Sequence, residues 1–342
     1  MKVTMRFSVV AAGLLTAASF AGSARAADVS VLVVPPFPPE RYADRGAVGL
    51  LVPGSGPTVT GEGARASLVR GKVQSSVIGG LPSGPVLFEL GTAPAGTTVY
   101  VSLPPPGTHP NRQRYGIAIV GSGYRGLLVS SRTRVPGLIG IADVAPTVVA
   151  LREGREPVIE SRADTNAPAH LRQLDDRFRR LGDARLWAKT LTLGSTFLLA
   201  LLAALTRSAL LGRGAILAAP LAVGGVLVLS ALDSTGALPT VALLSALTLP
   251  GALAAAAFAS TRLRFSVLLS ALIAAYLVLL AAWPEVPALA ALGPRPDGGG
   301  RFYGITNSLE TLVLVPTLVP AALLGMAGLV AVGLLTLVTV SW

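Results

Sequence analysis

The chain has 342 residues, of which 52% are hydrophobic and 13% charged, and its mean hydropathy is +0.66. A soluble domain carries about 25% charged residues, so the composition is that of a membrane-embedded chain. The absence of Cys excludes disulfides and thiolate metal sites, and the net charge of +11 is scattered rather than interleaved with aromatics. Scattered charge of this kind points to a lipid bilayer as partner and argues against nucleic acid.

In chain order, MKVTMR brings Lys2 and Arg6, and FSVVAAGLLTAASFAG follows as an uncharged apolar stretch ending near Ala24-Arg25-Ala26. Residues 1–26 are therefore expected to be a signal segment, cleaved after Ala26 or retained as an anchor. Either way, the residues that follow are expected outside the cytoplasm.

Residues 27–159 are expected to form an α/β domain with a mainly parallel sheet. VSVLVV (29–34), AVGLLV (47–52), TVYVSL (98–103), GIAIV (116–120) and GLLVS (126–130) are apolar runs of strand length between Gly and Pro breakers. GEGARASLVRG (61–71) is expected to hold a short helix. In IADVAPT, Asp143 is expected to cap a helix starting near Val144, with Pro146 in its first turn.

The Gly-rich stretch GSGPTVTGEG (54–63) carries Thr58 and Thr60. Backbone N–H groups in such a loop can cradle an anion. No Lys follows at P-loop spacing, so a turn-rich loop is the simpler reading. Arg65 and Arg70 are candidate ligands for an anionic glycan or lipid headgroup. Arg125, Arg132 and Arg134 form a second basic group. His109 is expected in a solvated loop, and His170 on the surface of a charged helix.

Residues 160–185 are expected to comprise a linker, ESRADTNAP (160–168), and an amphipathic juxtamembrane helix (168–185). Leu171, Leu174, Phe178 and Leu181 recur on one face of that helix. The face either packs on its own domain or lies on the bilayer. From 186 to 342 the chain is expected to be a transmembrane helical bundle of about five spans, near 187–206, 215–232, 237–259, 265–283 and 309–340. Pro316, Pro320 and Gly325 suggest that the last run is one kinked span. Arg207 and Arg213, then Arg262 and Arg264, occupy alternate loops, with Asp233 in the loop between. This agrees with an extracytoplasmic N-terminal domain in a multi-pass protein of the plasma membrane.

The loop 284–308 holds Arg301-Phe302-Tyr303-Gly304 and Asn307, with Glu310 at the mouth of the last run. An acidic group entering a bilayer is costly unless paired, and Arg301 is its nearest partner. Arg301, Tyr303, Asn307 and Glu310 are thus candidate ligand-binding residues. The alternative is an interfacial Arg/Tyr anchor with Glu310 reaching to water.

Three stretches carry a family resemblance. GLLVSSRTRVPGLIGIADVAPTVVAL resembles the end of the catalytic domain in the alkaline phosphatase superfamily, and VSVLVV resembles that family's first strand. RFYGITN (301–307) resembles a loop of multi-span bacterial envelope membrane proteins that carry a phosphatase-like outer domain. The resemblance implies hydrolysis through two divalent metals and a Ser or Thr nucleophile. However, the strand ending at Val34 runs into Pro35-Pro36-Phe37 rather than a metal-binding Asp. IAIV (117–120) is followed by Gly121-Ser122-Gly123-Tyr124, with no Asp-His pair. The resemblance therefore implies a shortened, catalytically inactive relative with no catalytic residue, no metal and no cofactor.

Two functions remain open. One is an envelope protein that binds or scaffolds, its partner a glycan, a lipid headgroup or another membrane protein. The other is a membrane-tethered enzyme (phosphoester hydrolase or glycan/lipid transferase) or transporter component acting at the Arg301–Glu310 loop.

Overall fold

The computed structural model describes residues 28–77 and 84–300. The signal segment, the last apolar run 309–340, and Arg301, Tyr303, Asn307 and Glu310 lie outside the described residues.

The chain starts with β1 (Val29–Val33), a short turn of helix α1 (Glu40–Ala43), β2 (Ala47–Val52), β3 (Thr58–Thr60) and α2 (Gly61–Arg70). The Thr60 hydroxyl caps α2 by accepting from the Gly63 N–H at 3.0 Å. Gly71 ends the helix at φ +64°, where a residue without Cβ costs least. β4 (Thr97–Val101), β5 (Thr108–Pro110), β6 (Tyr115–Val120), β7 (Gly126–Ser130), β8 (Leu138–Gly140), α3 (Ile141–Arg152) and β9 (Ile159–Arg162) complete the domain.

The seven-stranded sheet has the order β1-β4-β6-β2-β7-β9, with β8 also paired to β2. β1/β4, β2/β7 and β2/β8 are parallel, whereas β4/β6, β2/β6 and β7/β9 are antiparallel. The sheet is mixed, which corrects the mainly parallel expectation. The cause lies in the connection from β4 to β6. Its Pro- and Gly-rich residues form no crossover helix, and without one the chain returns antiparallel.

β2 is buried along its whole length, and its side chains alternate between two cores. Val48, Leu50 and Val52 join Leu127, Leu138, Leu171, Leu174, Phe178 and Leu181 on one face. Leu51 joins Ile117, Ile119, Leu68, Val144 and Val148 on the other, under α2 and α3. Each fully buried Leu or Ile contributes roughly 1.5–3 kcal/mol relative to exposure.

The Leu171–Leu181 stripe belongs to α4 (Ala167–Thr206), a single helix of 40 residues. At ~1.5 Å per residue it reaches ~60 Å. Its first half packs its apolar face onto the domain's own sheet, the first of the two readings above. Its second half exposes Leu193, Phe197, Leu201 and Leu205. The expected linker is partly ordered as well: β9 runs to Arg162 and pairs with β7.

α5 (Ala209–Ala231) returns toward the domain. α6 (Ala237–Ala246), a π-helical turn (Leu247–Gly251) and α7 (Ala252–Phe258) lead away again, and α8 (Arg262–Ala282) comes back to α9 (Glu285–Ala288). The wide turn accommodates Pro250, which has no N–H for the helical ladder. There Thr248 bonds the Leu244 carbonyl and Ser195 Oγ, both at 2.8 Å. Among the described residues four helical segments, 167–206, 209–231, 237–258 and 262–282, are long and apolar enough to cross a membrane. Arg207, Arg213, Arg262 and Arg264 all lie at the ends of these helices away from the α/β domain.

Candidate functional site

Parallel strands β1, β4, β2 and β7 end on one edge of the sheet, the edge where open α/β sheets bind ligands. There Ser130, the last residue of β7, donates to Asp143 Oδ2 at 2.7 Å, and Arg132 Nη1 donates to Asp143 Oδ1 at 3.2 Å. Asp143 is 1% exposed. It is not the helix cap: Gly140, in extended backbone, holds that position. α3 begins three residues earlier than the sequence suggests, so Asp143 lies inside its first turn and Pro146 in its second. Thr147, one turn further on, donates to the Asp143 carbonyl at 2.7 Å and accepts from the Ile159 N–H at 3.0 Å, tying α3 to β9.

Thr60 is occupied as the cap of α2, and Thr58 sits in the small β3/β5 sheet. His109 lies in β5 rather than a loop, opposite Val59, with Nε2 3.1 Å from the Pro106 carbonyl. Among the described residues no group of three His, Asp or Glu is placed to hold a metal ion. Arg65 is exposed on α2 and Arg70 ends that helix. Five positions apart, they point to different sides of it, so the structure does not gather them into one site.

The structure does gather charge where the domain meets the helical bundle. Arg185 donates through both terminal nitrogens to the two oxygens of Asp297, each at 3.1 Å. Both side chains are 8% exposed. Burial pushes the Asp297 carboxyl up. The charge and hydrogen bonds of Arg185, with Arg295 and Arg114 nearby, outweigh it and hold the carboxyl below its ordinary value. Arg295, 3.9 Å from Asp297, is pushed down by burial and by neighbouring Arg185 and Arg112.

Beside this pair, Asp175 on α4 accepts from Arg114 at 2.5 Å and from Arg179 at 2.6 Å, so both its oxygens are engaged. Arg114 also lies over the Phe178 ring at 5.1 Å. A cleft of about 350 Å³ opens here, lined by His109, Arg112, Gln113, Arg114, Asp175 and Arg179 among others. On the other side of α4, Arg177 reaches Asp233 at 3.2 Å and the Ser230 carbonyl at 2.5 Å, fastening the helix to the end of α5.

Sequence reasoning missed Arg185, Asp297 and Arg114. One signal was present: Arg185 continues the buried stripe of Leu171, Leu174, Phe178 and Leu181 by one helical turn, and a charge on a buried stripe requires a partner. The loop bearing Asp297 is also held at Gly300. A Cβ on Gly140 would lie 2.5 Å from the Gly300 carbonyl oxygen. Gly300, the last described residue, is therefore held against the start of α3.

Comparison with known proteins gives no matching family model, no matching curated protein and no matching solved structure.

Proposed function

We propose that this chain is an integral protein of the bacterial plasma membrane whose phosphatase-like outer domain binds or scaffolds an envelope component rather than catalysing a reaction. One observation carries the reading. At the edge of the sheet where a phosphatase would hold its metals, Asp143 is committed to Ser130 and Arg132, and Thr60 is committed to capping α2. Groups engaged in this way support the fold and are not free to bind cations. Charge supports an outer position for the domain: the four arginines at the helix ends remote from it fit the cytoplasmic side.

The test is metal content and turnover. The full chain, purified in detergent and supplied with zinc or manganese, is expected to bind no metal tightly and to leave a phosphodiester intact. Stoichiometric metal with turnover overturns the reading. Orientation is checked by single cysteines at positions 207 and 160: an impermeant thiol reagent applied to whole cells or spheroplasts is expected to label only position 160.

A second reading, a membrane-tethered hydrolase or transferase acting at the Arg301–Glu310 loop, gains support from the Gly140–Gly300 contact, which brings the entry to that loop beside the sheet edge. Loss of a cellular phenotype on Arg301→Ala or Glu310→Gln, with the protein still folded, would favour it.

A further inference from the structure

We propose that the cleft between the β5–β6 segment and α4 is a binding site for a phosphate ester, held by Arg112 and Arg179. The inference names the ligand class for the binding role above, and rests on that reading for its place outside the cytoplasm.

Among the described residues Arg114 and Arg179 pair with Asp175, Arg185 and Arg295 pair with Asp297, and Arg112 lies near enough to Arg295 to disfavour its charge. Asp297 is taken up by Arg185, and both oxygens of Asp175 are taken up by Arg114 and Arg179. The Arg112 guanidinium has no carboxylate partner among the described residues, and it crowds Arg295. A surplus of like charges is stabilised by an anion that brings more than one negative charge. A phosphate monoester carries about −1.5 to −2 at neutral pH, with three acceptor oxygens for the planar arginine forks.

Shape and place agree. A cleft of about 350 Å³ accepts a phosphate with a small organic group. Gln113 and His109 add neutral polar groups to its wall. Arg179 precedes Trp187 by eight residues of one continuous helix, so the cleft stands ~12 Å above the start of the apolar run. That height is open both to a lipid headgroup and to a soluble or polymer-borne phosphate.

The experiment uses the full chain in phosphatidylcholine nanodiscs. In one arm sn-glycerol 3-phosphate is titrated calorimetrically. In the other, nanodiscs doped with phosphatidic acid are examined by native mass spectrometry for retained lipid. R112Q and R179Q are each expected to weaken whichever binding is seen by about tenfold, as loss of one charge-assisted contact does. Arg112 is exposed, and R112Q is expected to unfold at the wild-type temperature, which separates lost binding from lost fold. Response in the first arm assigns a soluble or polymer-borne source, and response in the second alone assigns a lipid. No response in either arm, or equal binding by R112Q, overturns the proposal. Metal-supported phosphodiester turnover would instead overturn the non-catalytic function and leave the cleft standing.

Discussion

Arg185 and Asp297, 112 positions apart, meet as a two-pronged ion pair in which both side chains are almost wholly buried. One comes from the helix that enters the membrane, the other from the loop that follows α8. The pair joins the domain-bearing helix to the segment that follows α8 at the domain-side end of the bundle.

Removing one partner strands the other as a buried charge. Asp297→Asn and Arg185→Met are each expected to destabilise by about 3–5 kcal/mol. The double variant R185M/D297L is expected to recover part of the loss, since neither buried partner is left stranded and only the half-exposed Arg295 loses its carboxylate neighbour. Thermal unfolding of all three in nanodiscs checks this. A double variant as unstable as the sum of the singles would mean that the pair's contribution is not mutual.

The same pair sets an acid limit. The folded-state carboxyl of Asp297 is held below its ordinary value, so its stabilising contribution is fully present above about pH 4. It is lost as pH falls through the lower, folded value. Unfolding temperature is expected to fall more steeply below about pH 4 in the wild type than in D297N, and matching profiles would contradict this.

Ser130→Ala removes one of the donors to buried Asp143. A cost of about 1–3 kcal/mol is expected, because the buried Asp143 carboxylate loses one of its hydrogen bonds. Chemical denaturation of the full chain measures it. Under the proposed function, dialysis against a chelator is expected to leave the wild-type midpoint unchanged.

Gly140→Val is expected to release the loop that ends at Gly300, because its Cβ would stand 2.5 Å from the Gly300 carbonyl oxygen. Backbone cannot yield as a flexible side chain does, so a penalty of about 1–3 kcal/mol or more follows. Faster hydrogen exchange across 293–300 in this variant is the measurement.

Much of this architecture was legible in the sequence. Runs such as AVGLLV and GLLVS are β-branched or aliphatic, bounded by Gly and Pro, and they form β2 and β7. Their direction was not legible, because a period of two reports burial and says nothing about whether a neighbour runs parallel. Asp143 reads as a cap because Asp favours that position. Here an extended Gly140 at the end of β8 takes it, and the carboxylate turns inward to Ser130. The stripe from Leu171 to Leu181 showed that α4 has a covered face. Its continuation through Arg185 was hidden because hydropathy counts a charge as a break. No local signal pairs Arg185 with Asp297, since their meeting depends on α8 returning to the domain.

α4 is built for two solvents without a seam: its first half packs on the domain and meets water, and its second half exposes apolar side chains suited to hydrocarbon. Such a mast has no swivel, so the heading of the α/β unit relative to the apolar helices is a matter of helical phase. One extra residue after Arg185 would turn the buried span by ~100° and displace it ~1.5 Å relative to everything above. Spacing there is as much a part of the protein's specification as any side chain.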